Sequence, residues 1–297
     1  MRIISIGEIL WDVIGGQEHL GGALLNFSTH AARLGHEVSL VSAVGSDPRG
    51  YRALEAMSAL GLTIDRVQRS DEWPTGIVTV TVAGDGQPEF EIHRPAAYDS
   101  MGLANADLES LVSWNPDWIC YGTLLSMYPR GRSALLEAMD AIPCARHFYD
   151  VNLRPRSFTS ELVRELMRRA TVVKLNEDEV GAIAEMSQRS YPTLEQFCRD
   201  HAAALDWEAV CVTRGALGCA ILARDQYVEA PGYHVQVADT VGAGDAFAAA
   251  FLHGLDSGWP VAQIGDFANR LGAFVASRRG GVAPWSLDQI QALSRSG

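Results

Sequence analysis

The sequence has no apolar run long enough to span a membrane, and it is poor in positive charge. Over 297 residues, lysine and arginine number 24 against 36 aspartates and glutamates, which gives a net charge of -12. That balance argues against a nucleic-acid or anionic-membrane partner. The apolar opening is interrupted by Glu8 and Asp12 and is too short for a membrane span. We therefore expect a cytoplasmic protein with small-molecule partners, and a homodimer stays open at this stage.

Several motifs that would indicate other classes of protein are also missing. The five cysteines include no C-x-x-C pair, which fits a reducing compartment better than a disulfide framework. No G-x-x-x-x-G-K-[ST] occurs, which disfavours a Walker-type ATPase, and no G-x-G-x-x-G follows the first strand, which disfavours a dinucleotide oxidoreductase. The eight histidines show no metal-ligand spacing.

Short apolar runs alternate with helix-length stretches along much of the chain. Six runs have strand length, and they cover residues 2–6, 38–44, 118–121, 146–151, 171–174 and 209–213. This alternation predicts an α/β fold whose mainly parallel sheet carries helices on both faces. In the stretch 76–92, β-branched residues, a turn at 84–86 and an alternating segment predict a hairpin. The composition, 47% hydrophobic, supports one domain over residues 1–297.

The run 239–245, Asp-Thr-Val-Gly-Ala-Gly-Asp, is the most informative part of the chain. Gly242, Ala243 and Gly244 let the backbone approach an anion, and the amides that open the next helix lack partners inside it. At the positive end of the helix dipole they form an anion hole suited to a phosphoryl group. Asp245 is then predicted to accept the proton of an attacking hydroxyl. The alternative is that Asp245 only complements the helix dipole.

Two other polar groups allow both a structural and a functional interpretation. Asn176 and Glu179 have the spacing of a capping box, which by itself explains both residues. Arg154 precedes Pro155, which biases it toward a strand end, where doubly wound sheets place their ligands. Its guanidinium could offset phosphate charge or bind an acidic sugar, or it could form a surface ion pair.

The run 239–245 resembles the D-T-x-G-A-G-D signature of the ribokinase (PfkB) family of sugar kinases, with every fixed position present. Further segments are similar to the other landmarks of that family, in the same order and over nearly all of the chain. They are residues 7–12, 20–27, 43–47, 150–155, 176–179 and 212–215. The patterns at 7–12, 21–26 and 150–154 are most similar to the fructokinase branch. Leu24 departs from that branch, where many members carry proline, so we expect a differently built turn into the helix.

The resemblance implies an ATP- and Mg²⁺-dependent sugar kinase that transfers the γ-phosphate to a hydroxymethyl group, with fructose as the leading acceptor. It also implies a ribokinase-like three-layer α/β sandwich with a small β lid formed by about residues 12–18 and 76–98. The alternatives are a 2-keto-3-deoxygluconate or nucleoside kinase, and a non-catalytic sugar-binding protein on the same fold.

The same resemblance assigns roles to the remaining candidate residues. The sugar site would contain Asp12, Gly21, Gly22, Asn26 and Arg154, although a plain turn before a helix also explains the glycines and Asn26. Mg²⁺ would be held through water by Asn176 and Glu179, and the nucleotide pocket would contain Thr213, Gly215 and Asn269. A potassium ion would lie at Asp239 and the carbonyl of Val241; alternatively, Asp239 caps the turn through backbone contacts.

Overall fold

A computed structural model describes residues 1–82 and 88–294 of the chain. The strands within these residues are β1 (Arg2–Ile6), β2 (Leu10–Ile14), β3 (Gln17–Gly21), β4 (Glu37–Gly45), β5 (Val67–Ser70), β6 (Gly76–Val82), β7 (Pro88–His93), β8 (Trp118–Gly122), β9 (Arg146–Asp150), β10 (Val172–Asn176), β11 (Ala209–Thr213), β12 (Cys219–Ala223) and β13 (Gln226–Ala230). The α-helices are α1 (Ala23–Arg33), α2 (Pro48–Ala59), α3 (Asn105–Trp114), α4 (Pro129–Ala141), α5 (Ser160–Arg169), α6 (Glu177–Ser187), α7 (Leu194–Leu205), α8 (Ala243–Asp256), α9 (Val261–Ala276) and α10 (Leu287–Gln291).

Nine strands form the central sheet, in the order β13-β12-β11-β10-β9-β8-β1-β4-β5. All neighbours are parallel except at β12 and β13, which pair antiparallel at one edge. The six runs predicted as strands all lie in this sheet, and their apolar side chains are buried on both faces, as parallel sheets require.

Helices cover the sheet on both sides and produce two separate apolar cores. Side chains of α1, α2, α8 and α9 pack in one core, and side chains of α4, α5 and α7 pack in the other. The predicted three-layer α/β sandwich is confirmed. Among the described residues, no helix combines the length and apolar character needed to cross a membrane.

A second, four-stranded sheet has the order β3-β2-β6-β7. The predicted hairpin is present as the antiparallel pair β6 and β7, and the predicted turn at 84–86 lies outside the described residues. Asp12 lies inside β2, opposite His19 of β3. The small lid sheet is thus confirmed. That residues 1–297 form a single domain remains a prediction.

The register of the central sheet brings polar residues to one edge. Lys174 pairs with Asp150 across β10 and β9, and Asn176 pairs with Thr213 across β10 and β11. Because the carboxyl ends of parallel strands meet at the same edge, these side chains surround one crevice.

Two helical glycines give a matched test of packing. A Cβ added to Gly265 of α9 would lie 2.6 Å from Ala230 Cβ, whereas one added to Gly181 of α6 would meet nothing within 4 Å. We expect Gly181→Ala to raise the free energy of unfolding by about 0.5–1 kcal/mol, because alanine loses less backbone entropy in a helix. We expect Gly265→Ala to lower it by roughly 1–3 kcal/mol through overpacking. Urea unfolding of both variants measures the difference, and equal effects would contradict the packing of α9 on β13.

Candidate active site

The glycine turn (residues 242–244) forms the start of α8. Gly242 is the residue before the helix and has φ 76°, a left-handed conformation that favours glycine. A Cβ at this position would also overlap Gly281, whose carbonyl carbon would be 2.8 Å away. The Ala243 amide donates to the Thr240 carbonyl at 3.3 Å, whereas the amides of Gly242 and Gly244 have no acceptors inside the helix and are donors at the positive end of its dipole.

Asp245 lies in the first turn of α8, and its carboxylate accepts a hydrogen bond from Asn26 Nδ2 at 2.9 Å. Loss of hydration and the nearby Asp150 carboxylate raise the pKa of Asp245 to about 7, while Asn26, Lys174 and Arg154 act in the opposite direction. A carboxyl group with this pKa can both take up and release a proton near neutral pH.

Two cavities meet at the glycine turn. The first, of about 420 Å³, is lined by Asn26 and Asp245 and lies beneath the lid sheet, from which Leu10 and Val78 also contribute. The second, of about 320 Å³, lies between α9 and the loop that follows β13. Thr213, Thr240 and Gly244 line both cavities. Two molecules bound in these cavities would therefore approach each other at the amides of the turn.

The structure brings most of the predicted sugar-binding residues into the first cavity. Asp12, Gly22, Asn26 and Arg154 line it. Gly21 does not, but its missing Cβ leaves room for the Asp12 carboxylate. Burial raises the pKa of Asp12 to about 6, and the opposing charge of Arg154 limits the rise. Arg154 itself lies exposed in the loop after β9.

The predicted capping box is present at the start of α6. Asn176 Oδ1 accepts from the Glu179 amide at 2.9 Å, and Glu179 Oε2 accepts from the Asn176 amide at 2.8 Å. Glu179 Oε1 also accepts from the Leu153 amide at 2.7 Å, and burial raises the pKa of this carboxyl. Both residues line the first cavity, so the structural role leaves oxygen lone pairs at the cavity wall.

The predicted nucleotide-binding positions lie on the side of the glycine turn that faces the second cavity. Thr213, Gly215, Asn269 and Ala243 line the second cavity. Asn269 Nδ2 donates to the carbonyls of Ala230 and Pro231 at 3.1 and 3.2 Å, so its amide group also holds the loop after β13.

Asp239 caps the run that bears the glycine turn. Its Oδ1 accepts from the Val241 amide at 3.0 Å and its Oδ2 accepts from the Gly280 amide at 3.0 Å. This is the backbone arrangement that the sequence offered as the alternative to a potassium site. Val241 lines the first cavity.

Sequence reasoning missed an ion pair at the floor of the first cavity. Lys174 Nζ lies 2.8 Å from Asp150 Oδ1, and both side chains are 8% exposed. Burial alone would lower the pKa of Lys174, but the carboxylates of Asp150, Glu179 and Asp245 raise it above its ordinary value. A Cβ on Gly244 would lie 3.7 Å from Lys174 Nζ, so the ammonium group lies close below the turn. A lone lysine inside the apolar run 172–175 was the available signal.

Glu8 was also missed as a side chain of the site. Its Oε1 accepts from the Ala23 amide at 2.9 Å and so caps α1, whose preceding residue Gly22 makes no side-chain cap. Burial raises the pKa of Glu8, and the residue lines the first cavity beside Asp12. The Glu8 carboxylate thus supplies the N-terminal cap of the helix that contains Leu24.

Comparison with known proteins gives one consistent result. The sequence pattern of the pfkB family of carbohydrate kinases matches residues 7–287. The chain is 28% identical over 298 residues to PH1459 of Pyrococcus horikoshii, a protein described as an uncharacterized sugar kinase, covering 94% of this chain and 91% of that protein. It is 30% identical over 278 residues to the fructokinase of Escherichia coli, covering 88% and 86%.

Solved structures agree in fold. PH1459 in complex with ATP superposes with a TM-score of 0.81 at 26% identity and 94% coverage of both chains. An Escherichia coli protein described as ribokinase II, in complex with ATP and Mg²⁺, superposes with a TM-score of 0.85 at 21% identity and 98% coverage of both chains. The ribokinase-like fold expected from the sequence is thereby confirmed.

The raised pKa of Asp245 predicts how the stability of the folded protein depends on pH. A carboxyl group with a folded pKa of about 7, against an ordinary 3.8, favours folding at low pH, and this contribution is lost as the pH rises through 7. Asparagine cannot ionise, so Asp245→Asn should melt at a higher temperature than the unaltered protein at pH 8. Calorimetric scans should show this advantage growing between about pH 4 and 7 and then levelling off.

The matched control is Asp65→Asn, which changes an exposed acid away from both cavities. Its melting temperature should follow that of the unaltered protein at every pH. An Asp245→Asn protein that is less stable at pH 8 would contradict the environment described for the carboxyl group.

Proposed function

The chain belongs to the pfkB family of carbohydrate kinases, and on this premise we propose that it transfers the γ-phosphate of ATP to a hydroxymethyl group of a neutral sugar, with fructose as the leading acceptor. The observation that carries the proposal is the meeting of two cavities at Gly244. A sugar in the first and a nucleotide in the second would place the attacking hydroxyl and the γ-phosphorus on opposite sides of the same amides. In-line transfer requires that arrangement.

Asp245 would act as the general base. With a pKa of about 7, part of its population is ionised at neutral pH and can accept the hydroxyl proton as the new oxygen–phosphorus bond forms. The hydrogen bond from Asn26 would hold the carboxylate in place. The amides of residues 242–244 would stabilise the charge on the transferred group, and Lys174 would add a fixed positive charge below them.

A neutral acceptor is supported by the charges at the sugar end of the first cavity. Glu8, Asp12 and Asp245 are acidic, and Arg154 is a cation beside them, while Lys174 is paired with Asp150. Carboxyl groups suit hydroxyl ligands, since they accept hydrogen bonds and, when protonated, also donate them. Arg154 supports the second candidate, a 2-keto-3-deoxygluconate kinase, because its exposed guanidinium could bind a substrate carboxylate.

The wall formed by Asp150, Asn176 and Glu179 fits a hydrated Mg²⁺ ion. The Glu179 oxygens already accept backbone hydrogen bonds and retain lone pairs for metal-bound water, which suits an ion that keeps much of its hydration shell. Among the described residues, no three acidic, histidine or cysteine side chains form a direct metal cage. When bound, the ion would neutralise charge on the nucleotide phosphates.

A panel of acceptors tests the proposal directly. ADP release should be measured with fructose, 2-keto-3-deoxygluconate, ribose and a nucleoside at saturating ATP and Mg²⁺. We expect the highest kcat/KM with fructose. A higher kcat/KM with 2-keto-3-deoxygluconate would support the second candidate. If no acceptor in the panel stimulates ADP release, the result would count against a sugar kinase of this class.

Asp245→Asn tests the chemistry. Turnover should fall by about 10²–10⁴-fold, because general-base assistance commonly contributes that much. Sugar and ATP affinities, measured by calorimetry, should stay near those of the unaltered enzyme, and Asp65→Asn should keep full turnover. Activity of Asp245→Asn within a few-fold of the unaltered enzyme would exclude the base role.

A potassium ion near Asp239 and the Val241 carbonyl is a further part of the proposal. It would have to share Asp239 with two backbone donors, so the expected effect is modest. Turnover should be compared in potassium and in tetramethylammonium at equal ionic strength. A several-fold lower rate in tetramethylammonium would support the ion, while equal rates and equal ATP affinity would remove it.

A further inference from the structure

The 280–285 segment runs between α9 and α10 and contacts both α1 and the glycine turn. Gly280 donates its amide to Asp239, which also caps the run containing the turn. The next residue, Gly281, packs against Gly242, as a Cβ on Gly242 would overlap it. The 280–285 segment therefore packs directly against the glycine turn and supports its conformation.

His30 of α1 holds this segment through both ring nitrogens. Its Nε2 lies 2.8 Å from the Gly281 carbonyl oxygen, and its Nδ1 lies 2.9 Å from Trp285 Nε1. An indole nitrogen can only donate, so Nδ1 is the acceptor and the proton is on Nε2, which donates to Gly281. The ring is fully buried, and this burial lowers the pKa of His30 to about 4, so it is neutral near pH 7.

The contact between His30 and Gly281 is linked to Asp245 through one intervening side chain, Asn26. A Cβ on Gly281 would lie 2.8 Å from Asn26 Nδ2, so the Gly281 backbone packs on the amide group that donates to Asp245. Asn26, His30 and Arg33 lie on one face of α1, at i, i+4 and i+7. Arg33 Nη1 donates to the Ala283 carbonyl at 2.8 Å. This face of α1 therefore contacts the 280–285 segment at Gly281, Ala283 and Trp285.

We propose that His30 is a positioning residue for phosphoryl transfer, which fixes the Gly281 peptide and through it both the left-handed Gly242 turn and the Asn26 amide at Asp245. The consequence for catalysis rests on the proposed kinase function. Loosening the peptide should displace the amides of the turn and the Asn26 donor at Asp245, while the sugar contacts of Asp12 and Arg154 and the adenosine contacts stay in place, because those belong to β2, the loop after β9 and the second cavity. A displacement of about 1 Å in such groups can cost on the order of 10²-fold in rate.

The test compares His30→Phe with His30→Gln. Phenylalanine replaces the imidazole with a somewhat larger phenyl ring and removes both polar contacts. Glutamine offers an Nε2 donor for Gly281 and an Oε1 acceptor for Trp285. We expect kcat to fall about 10–100-fold in His30→Phe, with KM for sugar and ATP within about 3-fold, and to recover to within about 3-fold of the unaltered enzyme in His30→Gln.

His201→Phe is the matched control. His201 is also buried, and its Nδ1 contacts the Phe197 carbonyl within α7, in the opposite helix layer. This variant should keep its kcat even if its melting temperature falls. The Phe variants at both sites remove an imidazole from a packed interior, so a shared loss of kcat would show that His30 acts only through packing and would overturn the proposal.

Hydrogen–deuterium exchange of a peptide spanning residues 239–247 gives a readout independent of activity. Exchange should be faster in His30→Phe than in His30→Gln or His201→Phe. Equal exchange in all variants would overturn the proposal even if the unaltered protein is a sugar kinase. Faster exchange in a protein with no activity on any acceptor would support the positioning role and count against the proposed function instead.

Discussion

The ion pair of Lys174 and Asp150 holds two charges out of water at the edge where the parallel strands end. Removing either partner would leave a buried charge uncompensated, at a cost of roughly 3–5 kcal/mol. The two residues face each other only in the observed register of β9 and β10, so the pair ties the register of the sheet to the composition of the site. Asp150 raises the pKa of Asp245 and Lys174 lowers it. The same two side chains therefore contribute to both fold specification and proton affinity.

Around this pair, the site is assembled from segments that are far apart along the chain. The lid sheet supplies Asp12, α1 supplies Asn26, and α8 supplies the turn and Asp245. None of these elements could bury its polar groups alone. Each supplies partners to another, as when Glu8 caps α1 and Asn26 binds Asp245. Polar groups satisfied in this way can stay inside a cavity and still face a ligand.

Sequence patterns identified the strands of the central sheet and the turn before α8, because both depend on local chemistry: apolar runs of strand length, and glycines next to a helix start. The capping box at Asn176 was found for the same reason. Lys174 and His30 were not recognised, because their roles depend on Asp150 and on Gly281, which the fold brings near them. A lysine in an apolar strand and a histidine in an amphipathic helix have no local pattern that reveals such partners. The roles proposed for Asp12 and Asn269 came from family resemblance, whereas Arg154 was singled out by its position before Pro155.

The contact between His30 and Gly281 joins residues 251 positions apart in the chain. During synthesis, the lid, the first strands and α1 leave the ribosome long before this partner exists. A nascent chain that ends before residue 281 could pair its strands but would lack the 280–285 segment that packs against the glycine turn. The ability to cleave ATP would then arise only after residue 281 has been translated, so chains that end before it would not consume nucleotide while they fold.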